Sequence, residues 1–221
     1  MTLQMDWDRR SRTGVAEAVM CEWKTDSQIA AAIAAARAEH KPLLLTRLPN
    51  DALDRLPLEQ RRELDYDPVS LTAFFGEVPM PLRTGAGVVT AGESDLRVAS
   101  EAARTLHFGG HAAEIITDVG VAGMWRLTAR LTEIRDLKVV IAVAGMEGAL
   151  FSVLAGLVSA PIIAVPTSIG YGVAEGGKTA LAAALASCAP GIAVVNIDSG
   201  YAAATNAIKI LNVAGGEGAR E

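Results

Sequence analysis

Val139-Val140-Ile141-Ala142-Val143-Ala144-Gly145-Met146-Glu147-Gly148 is an unbroken apolar run that ends in a small, polar loop. A run without polar alternation fits a strand buried on both faces, as in a parallel sheet covered by helices on each side. A helical stretch, 148–158, follows it. The same strand–loop–helix unit recurs to either side. Further apolar runs lie at 88–90, 113–117, 162–165 and 193–197, with helical stretches at 95–106, 124–135, 178–187 and 201–211. This rhythm predicts an α/β fold with a doubly wound, five-stranded parallel sheet of flavodoxin-like or Rossmann-like type.

Upstream the texture changes. Residues 1–67 are charged and mixed, and read as a small N-terminal α+β domain. Thr25-Asp26-Ser27-Gln28 has the form of a capping box opening an Ala-rich helix that carries Ile29 and Ile33. Leu43 to Thr46 reads as a short strand and 58–64 as a short helix. Between 68 and 86 the chain holds Pro68, Gly76, Pro79, Pro81 and Gly85, and is expected to be a linker without regular elements. Residues 87–221 form the α/β domain.

The chain has 221 residues, of which 51% are apolar, 20% charged and only 5% aromatic. Those proportions suit a protein with a substantial core, and the excess of Ala, Val, Ile and Leu suits parallel strands and Ala-rich helices. A net charge of −5 with scattered arginines argues against a nucleic-acid partner bound by general electrostatics. The apolar runs are far shorter than the roughly 20 residues that span a bilayer, and the first residues lack a signal-peptide core. A cytoplasmic protein with no membrane association is expected. Cys21 and Cys188 are too few for a disulfide framework, so both are expected as reduced thiols.

In open parallel sheets, ligands bind beyond the carboxyl ends of the strands, near the point where strand order reverses. The segments after the runs are small and polar: 91–95 (Ala-Gly-Glu-Ser-Asp), 118–123 (Asp-Val-Gly-Val-Ala-Gly), 144–148 (Ala-Gly-Met-Glu-Gly), 166–172 (Pro-Thr-Ser-Ile-Gly-Tyr-Gly) and 196–200 (Asn-Ile-Asp-Ser-Gly). Glycines admit a ligand to the backbone, and N–H groups at helix starts attract anions. Such turns are commonly Gly-rich for local reasons alone, but five converging on one edge favour a pocket for an anionic small molecule. Local readings stand beside the functional ones. Asp95 and Asp198 suit helix N-caps, Glu147 suits a helix N-terminus, and a lone Cys beside Ala, whether Cys21 or Cys188, reads first as a small buried residue. His107 and His111 have no partner at metal-ligand spacing and read as surface residues.

The stretches Thr90-Ala91-Gly92-Glu93-Ser94-Asp95, Val143-Ala144-Gly145-Met146-Glu147-Gly148, Ser187-Cys188-Ala189 and Val194-Val195-Asn196-Ile197-Asp198 closely resemble the LarB family, the carboxylase/hydrolase of nickel-pincer nucleotide biosynthesis. So do the loops at 118–123 and 163–172. Asp6, Arg9, Arg12, Gly14, Glu17 and Lys24 follow the family's N-terminal pattern, so the resemblance covers nearly the whole chain. The α/β part also resembles the aminoimidazole ribonucleotide carboxylase/mutase fold. Ala149 stands where those enzymes place a proton-shuttling His, which speaks against their activity. Trp125 stands where the LarB pattern has His, Ala186 and Ser199 where Asn is common, and Ala16 where Pro is.

The resemblance implies carboxylation of nicotinic acid adenine dinucleotide at C5 of the pyridinium, with cleavage of the phosphoanhydride to pyridinium-3,5-biscarboxylic acid mononucleotide and AMP. CO2 is the co-substrate. Cys188 becomes the implied nucleophile, with Asp118, Glu147, Asp95 or Asp198 as acceptor of the C5 proton. Lys178 and the N-terminal arginines are candidates for favouring the thiolate. Ser94, Asp95, Thr167, Ser168 and Asp198 would hold phosphate or ribose, and Arg9, Arg12 and Lys24 the substrate's anionic groups. Mg2+ would suit phosphoanhydride cleavage, although no ligand cluster announces it. A homo-oligomer, an octamer-like ring, is implied too. Two other readings remain: an aminoimidazole ribonucleotide carboxylase/mutase, and a nucleotide-binding module without catalysis.

Overall fold

The computed structural model describes residues 4–215. In chain order the strands are β1 (Ala18–Met20), β2 (Leu43–Thr46), β3 (Leu64–Asp67), β4 (Thr72–Phe75), β5 (Arg83–Thr90), β6 (His111–Ile116), β7 (Val139–Ala144), β8 (Ile162–Pro166) and β9 (Ile192–Val194). The helices are α1 (Arg9–Thr13), α2 (Asp26–Ala38), α3 (Asn50–Arg55), α4 (Leu58–Arg62), α5 (Leu96–Phe108), α6 (Met124–Ala129), α7 (Leu131–Arg135), α8 (Ala149–Leu157), α9 (Lys178–Leu185) and α10 (Gly200–Ala214).

Strands β5 to β9 form one parallel sheet in the order β6-β5-β7-β8-β9. This is the flavodoxin-like order, and the expected α/β fold is what forms. Successive side chains of a strand point to opposite faces. In β7, Val139, Ile141 and Val143 therefore enter the core shared with α5 and α10, while Val140, Ala142 and Ala144 enter the core beneath α6 to α9. Each residue of β7 is at most 1% exposed, which is why the run has no polar alternation.

The first four strands form a separate mixed sheet, β1-β2-β4-β3. Its helix α2 opens with the expected capping box, in which Thr25 accepts from the Gln28 backbone and the Gln28 side chain accepts from the Thr25 backbone. Ile29, Ala32, Ile33 and Ala36 fall on one helical face and pack on Leu43, Leu45, Ala73 and Phe75. The opposite face of this sheet offers Leu44 and Phe74 to α5, whose Arg104 lies 4.0 Å over the Phe74 ring.

The expected linker at 68–86 differs from what forms. Residues 72–75 are β4, an inner strand of the N-terminal sheet, and β5 already begins at Arg83. Pro68 sits in a hairpin turn whose carboxylate, Asp67, accepts from the Ser70 N–H at 2.9 Å. The breakers mark a turn there, not the end of the module. The connection proper is shorter and carries the exposed Met80 and Leu82. The expected helix 124–135 is interrupted at Arg130, giving α6 and α7. Among the described residues, no helix is long and apolar enough to cross a membrane.

Leu106 is fully buried between α5 and the sheet, whereas Leu82 is 91% exposed. Leu106→Ala is expected to lower unfolding free energy by about 2–5 kcal/mol, and Leu82→Ala by less than about 0.5 kcal/mol, in urea titrations followed by circular dichroism.

Candidate functional site

The chain leaves β5 for β6 on one side and later returns to β7 on the other, so the loops after β5 and β7 part company. A cleft of about 310 Å³ opens there, lined by Gly92, Ser94, Asp95, Gly120, Gly145, Met146, Glu147 and Ile169 among others. The loops meet at close backbone approaches. A Cβ on Gly145 would lie 2.2 Å from the Ile169 carbonyl oxygen, and one on Gly120 would lie 2.7 Å from that of Ala91. Three non-glycine residues with left-handed backbone, Asp118, Met146 and Asp198, stand at this same edge. Strain of this kind persists where surrounding contacts hold it, and it gathers at functional sites.

Asp95 is the buried carboxylate of the cleft, 3% exposed. The residues suggested a helix N-cap, but its side chain caps nothing in α5. One oxygen accepts the Thr167 hydroxyl at 2.7 Å and the other the Gly92 N–H at 3.1 Å. Burial pushes the Asp95 carboxyl above the usual carboxylate range, opposed by those two bonds and reinforced by the charge of Asp198. Thr167 is itself fully buried and spends its hydroxyl on Asp95.

Ser94 and Glu147 are exposed and line the cleft with Asp95. Ser168 and Asp198 lie alongside, with Oδ1 of Asp198 accepting from the Ser168 N–H at 2.9 Å. Asp198 caps no helix either, because α10 starts at Gly200 after Ser199. Asp118 is clamped by the Arg126 guanidinium in an ion pair and does not line the cleft. Trp125, beside Arg126, is 73% exposed.

The other expected site residues stand elsewhere. Arg9 pairs with Asp6 and Glu17, and Arg12 makes a bidentate pair with Asp6 at 2.9 and 2.7 Å. That pairing with Arg12 holds the Asp6 carboxyl down at about 2. The two arginines are thus occupied within their own motif. Lys24 is exposed in the turn after β1. Cys188 is exposed, in the connection that returns the chain from α9 to β9, and does not line the cleft. Its neighbour Ser187 meets Ser152 of α8 at 2.7 Å. The expectation of a buried small residue fails for Cys188, because the chain there has already left α9. It holds for Cys21, which sits in the N-terminal core with its thiol pushed up to about 12 by burial. His111, read as a surface residue, opens β6 and is 2% exposed.

Arg47, Arg126 and Glu101 were not singled out in the sequence. Arg126 lies eight residues beyond Asp118, in the first turn of α6, a spacing that could have suggested the pair. Arg47 meets Asp198 across 151 residues, and no local pattern signals that. Among the described residues, no group of three His, Cys, Asp or Glu could hold a metal ion.

Strand order and the cleft at the reversal point define a flavodoxin-like α/β protein with a second mixed-sheet module docked on it. Residues 86–219 match the AIR carboxylase family and residues 2–76 the LarB/PurE-like N-terminal domain. The chain belongs to the LarB family, a carboxylase-related enzyme family in which these two parts are combined. An uncharacterized protein of Methanocaldococcus jannaschii is 37% identical over 211 residues, covering 91% of this chain and 80% of the relative. A crystal structure of a Treponema denticola PurE2 variant aligns with 61% of this chain and 91% of its own, at 19% identity and a TM-score of 0.45.

Two outcomes follow from the burial of these groups. Because the Asp95 carboxyl titrates above its unfolded value, its stabilising contribution is fully present below the ordinary carboxylate range and lost as pH rises through the raised titration. Urea titrations across pH should show Asp95→Asn gaining stability relative to wild type as pH rises, and a difference independent of pH would refute the raised titration. Iodoacetamide should modify Cys188 in the native protein and reach Cys21 only on unfolding, as read by peptide mass.

Proposed function

We propose that this protein carboxylates nicotinic acid adenine dinucleotide at C5 of its pyridinium ring and hydrolyses the phosphoanhydride, releasing pyridinium-3,5-biscarboxylic acid mononucleotide and AMP. The observation that carries the reading is the cleft at the reversal point, where Ser94, Asp95 and Glu147 converge in a chain of carboxylase-related family. Pyridinium C5 is electron-poor and does not attack CO2. Addition of a thiolate at C4 turns the ring into a neutral dihydropyridine whose C5 is an enamine carbon. C5 then bonds to CO2, a base removes the C5 proton, and the C4–S electron pair leaves with the thiolate to restore aromaticity. Water cleaves the phosphoanhydride. Glu147, exposed in the cleft, is suited to accept the proton. Ser94 and the Ser168 side chain offer hydroxyls to ribose or phosphate.

Cys188 is the exposed thiol of the chain, and it stands outside its own subunit's cleft. In this reading it enters the cleft of a second copy. Met146 and Ile169 line the cleft and are exposed, as are Tyr171 and Val173 further along the same loop, apolar surface that association of copies would cover. Mg2+ would suit the phosphoanhydride cleavage through charge neutralisation.

Incubation with nicotinic acid adenine dinucleotide and bicarbonate should yield AMP and a mononucleotide heavier by one carboxylate, read by mass spectrometry. Unchanged dinucleotide across pH would sink the proposal. Cys188→Ala should abolish the product and Cys21→Ala should keep it. Mixed oligomers of Cys188→Ala and Glu147→Gln should regain activity, since one intact cleft then meets one intact thiol.

A further inference from the structure

One side chain of the N-terminal module reaches the loops of the cleft. Arg47 directly follows β2, with a left-handed backbone (φ 50°) and a side chain only 16% exposed. Its Nη2 donates to the Asp198 carbonyl oxygen at 2.6 Å, and its Nη1 to Glu22 at 2.8 Å. Its Nε lies 3.8 Å from Oε1 of Glu101, a carboxylate 3% exposed that also accepts from the Tyr201 N–H at the start of α10. Carboxylates on the outer and inner sides thus fix the direction of the guanidinium plane. Its third contact lands on a backbone carbonyl whose residue is itself left-handed (φ 55°).

From that carbonyl a route of hydrogen bonds, joined by covalent steps within Asp198 and between Ser168 and Thr167, continues into the cleft. The Asp198 carboxylate accepts from the Ser168 N–H, the adjacent Thr167 hydroxyl donates to Asp95, and Asp95 accepts from the Gly92 N–H. Two unfavourable backbone conformations face each other across the Arg47–Asp198 bond. Such conformations survive only where contacts over-determine them. Arg104 is the contrasting case. It ties the same two modules through Thr72, the Asp65 carbonyl and the Phe74 ring, and touches none of the cleft loops.

We propose that Arg47 is a positioning residue through which the N-terminal module sets the Ser168 loop and, by way of Thr167, the carboxylate of Asp95. The N-terminal module is in this account part of the machinery of the neighbouring site. The kinetic consequence rests on the proposed reaction; the structural one does not.

The test compares full-length wild type with Arg47→Ala, Arg47→Lys and Arg104→Ala by hydrogen–deuterium exchange mass spectrometry and by steady-state kinetics with nicotinic acid adenine dinucleotide. In Arg47→Ala, peptides covering residues 166–172 should exchange on the order of tenfold faster, as expected for loss of a charged hydrogen-bond donor. KM should rise about tenfold with kcat within about threefold, since the loop holds substrate. Arg47→Lys should recover part of both effects, because Lys keeps the charge but lacks the planar fork. Arg104→Ala should leave exchange at 166–172 and both kinetic constants at wild-type values. Unchanged exchange in Arg47→Ala, or equal changes in Arg104→Ala, would overturn the proposal. If wild type leaves the dinucleotide unchanged, the reaction fails while the exchange measurement still decides on Arg47. Should Arg47→Ala not fold, Arg47→Lys against Arg104→Ala makes the same comparison, with half-restored protection expected and wild-type protection refuting.

Discussion

Burial of β7 on both faces is the constraint from which the rest of the molecule follows. A strand with no solvent side needs neighbours on both edges and helices above and below. Crossovers of one hand supply the helices, and all the strands then point the same way. Every strand-to-helix loop is consequently delivered to a single edge. The cleft is a geometric result of that delivery: where strand order reverses between β5 and β7, the loops cannot cover the gap between them.

The chemistry at that edge is arranged by contacts among loops as well as within them. Asp95 belongs to the loop after β5, but its hydrogen-bond donor Thr167 comes from the end of β8. Asp198 follows β9 and holds the Ser168 N–H, and Arg47 of the other module holds Asp198. A buried carboxylate without such donors would be strongly disfavoured. With them, Asp95 is kept in one place at the base of an open cleft, its charge made less favourable by burial and by Asp198.

The two modules divide the work of charge differently. In the N-terminal motif, Asp6, Arg9, Arg12 and Glu17 satisfy one another at close range, so their conspicuous spacing describes a local fold. At the junction, Arg47 crosses to the larger domain and Arg104 of α5 crosses the other way, and both end on backbone carbonyls as well as carboxylates. Arginine suits this use because its donors lie in a rigid plane and can serve several acceptors at once. Exposed apolar residues include Met146 and Ile169 at the cleft and Met80 and Leu82 on the connection before β5.

The sequence by itself determined the sheet, its helices and the edge at which the loops gather, because burial on two faces and helical spacing are written in neighbouring residues. It determined the capping box of α2 for the same reason. Pro68 misled, since the same breaker serves a hairpin turn as well as a linker, and only the pairing of β3 with β4 distinguishes them. Tertiary structure alone decided that Asp95 is held by Thr167 as well as by its local bond to Gly92, and that Asp198 holds the Ser168 N–H instead of capping a helix. It also decided that Cys188 is exposed and outside the cleft, and that Arg47 reaches the cleft loops from the other module. Those outcomes depend on which loops the topology brings within hydrogen-bonding reach, across separations of 72 and 151 residues, and no local pattern carries that information.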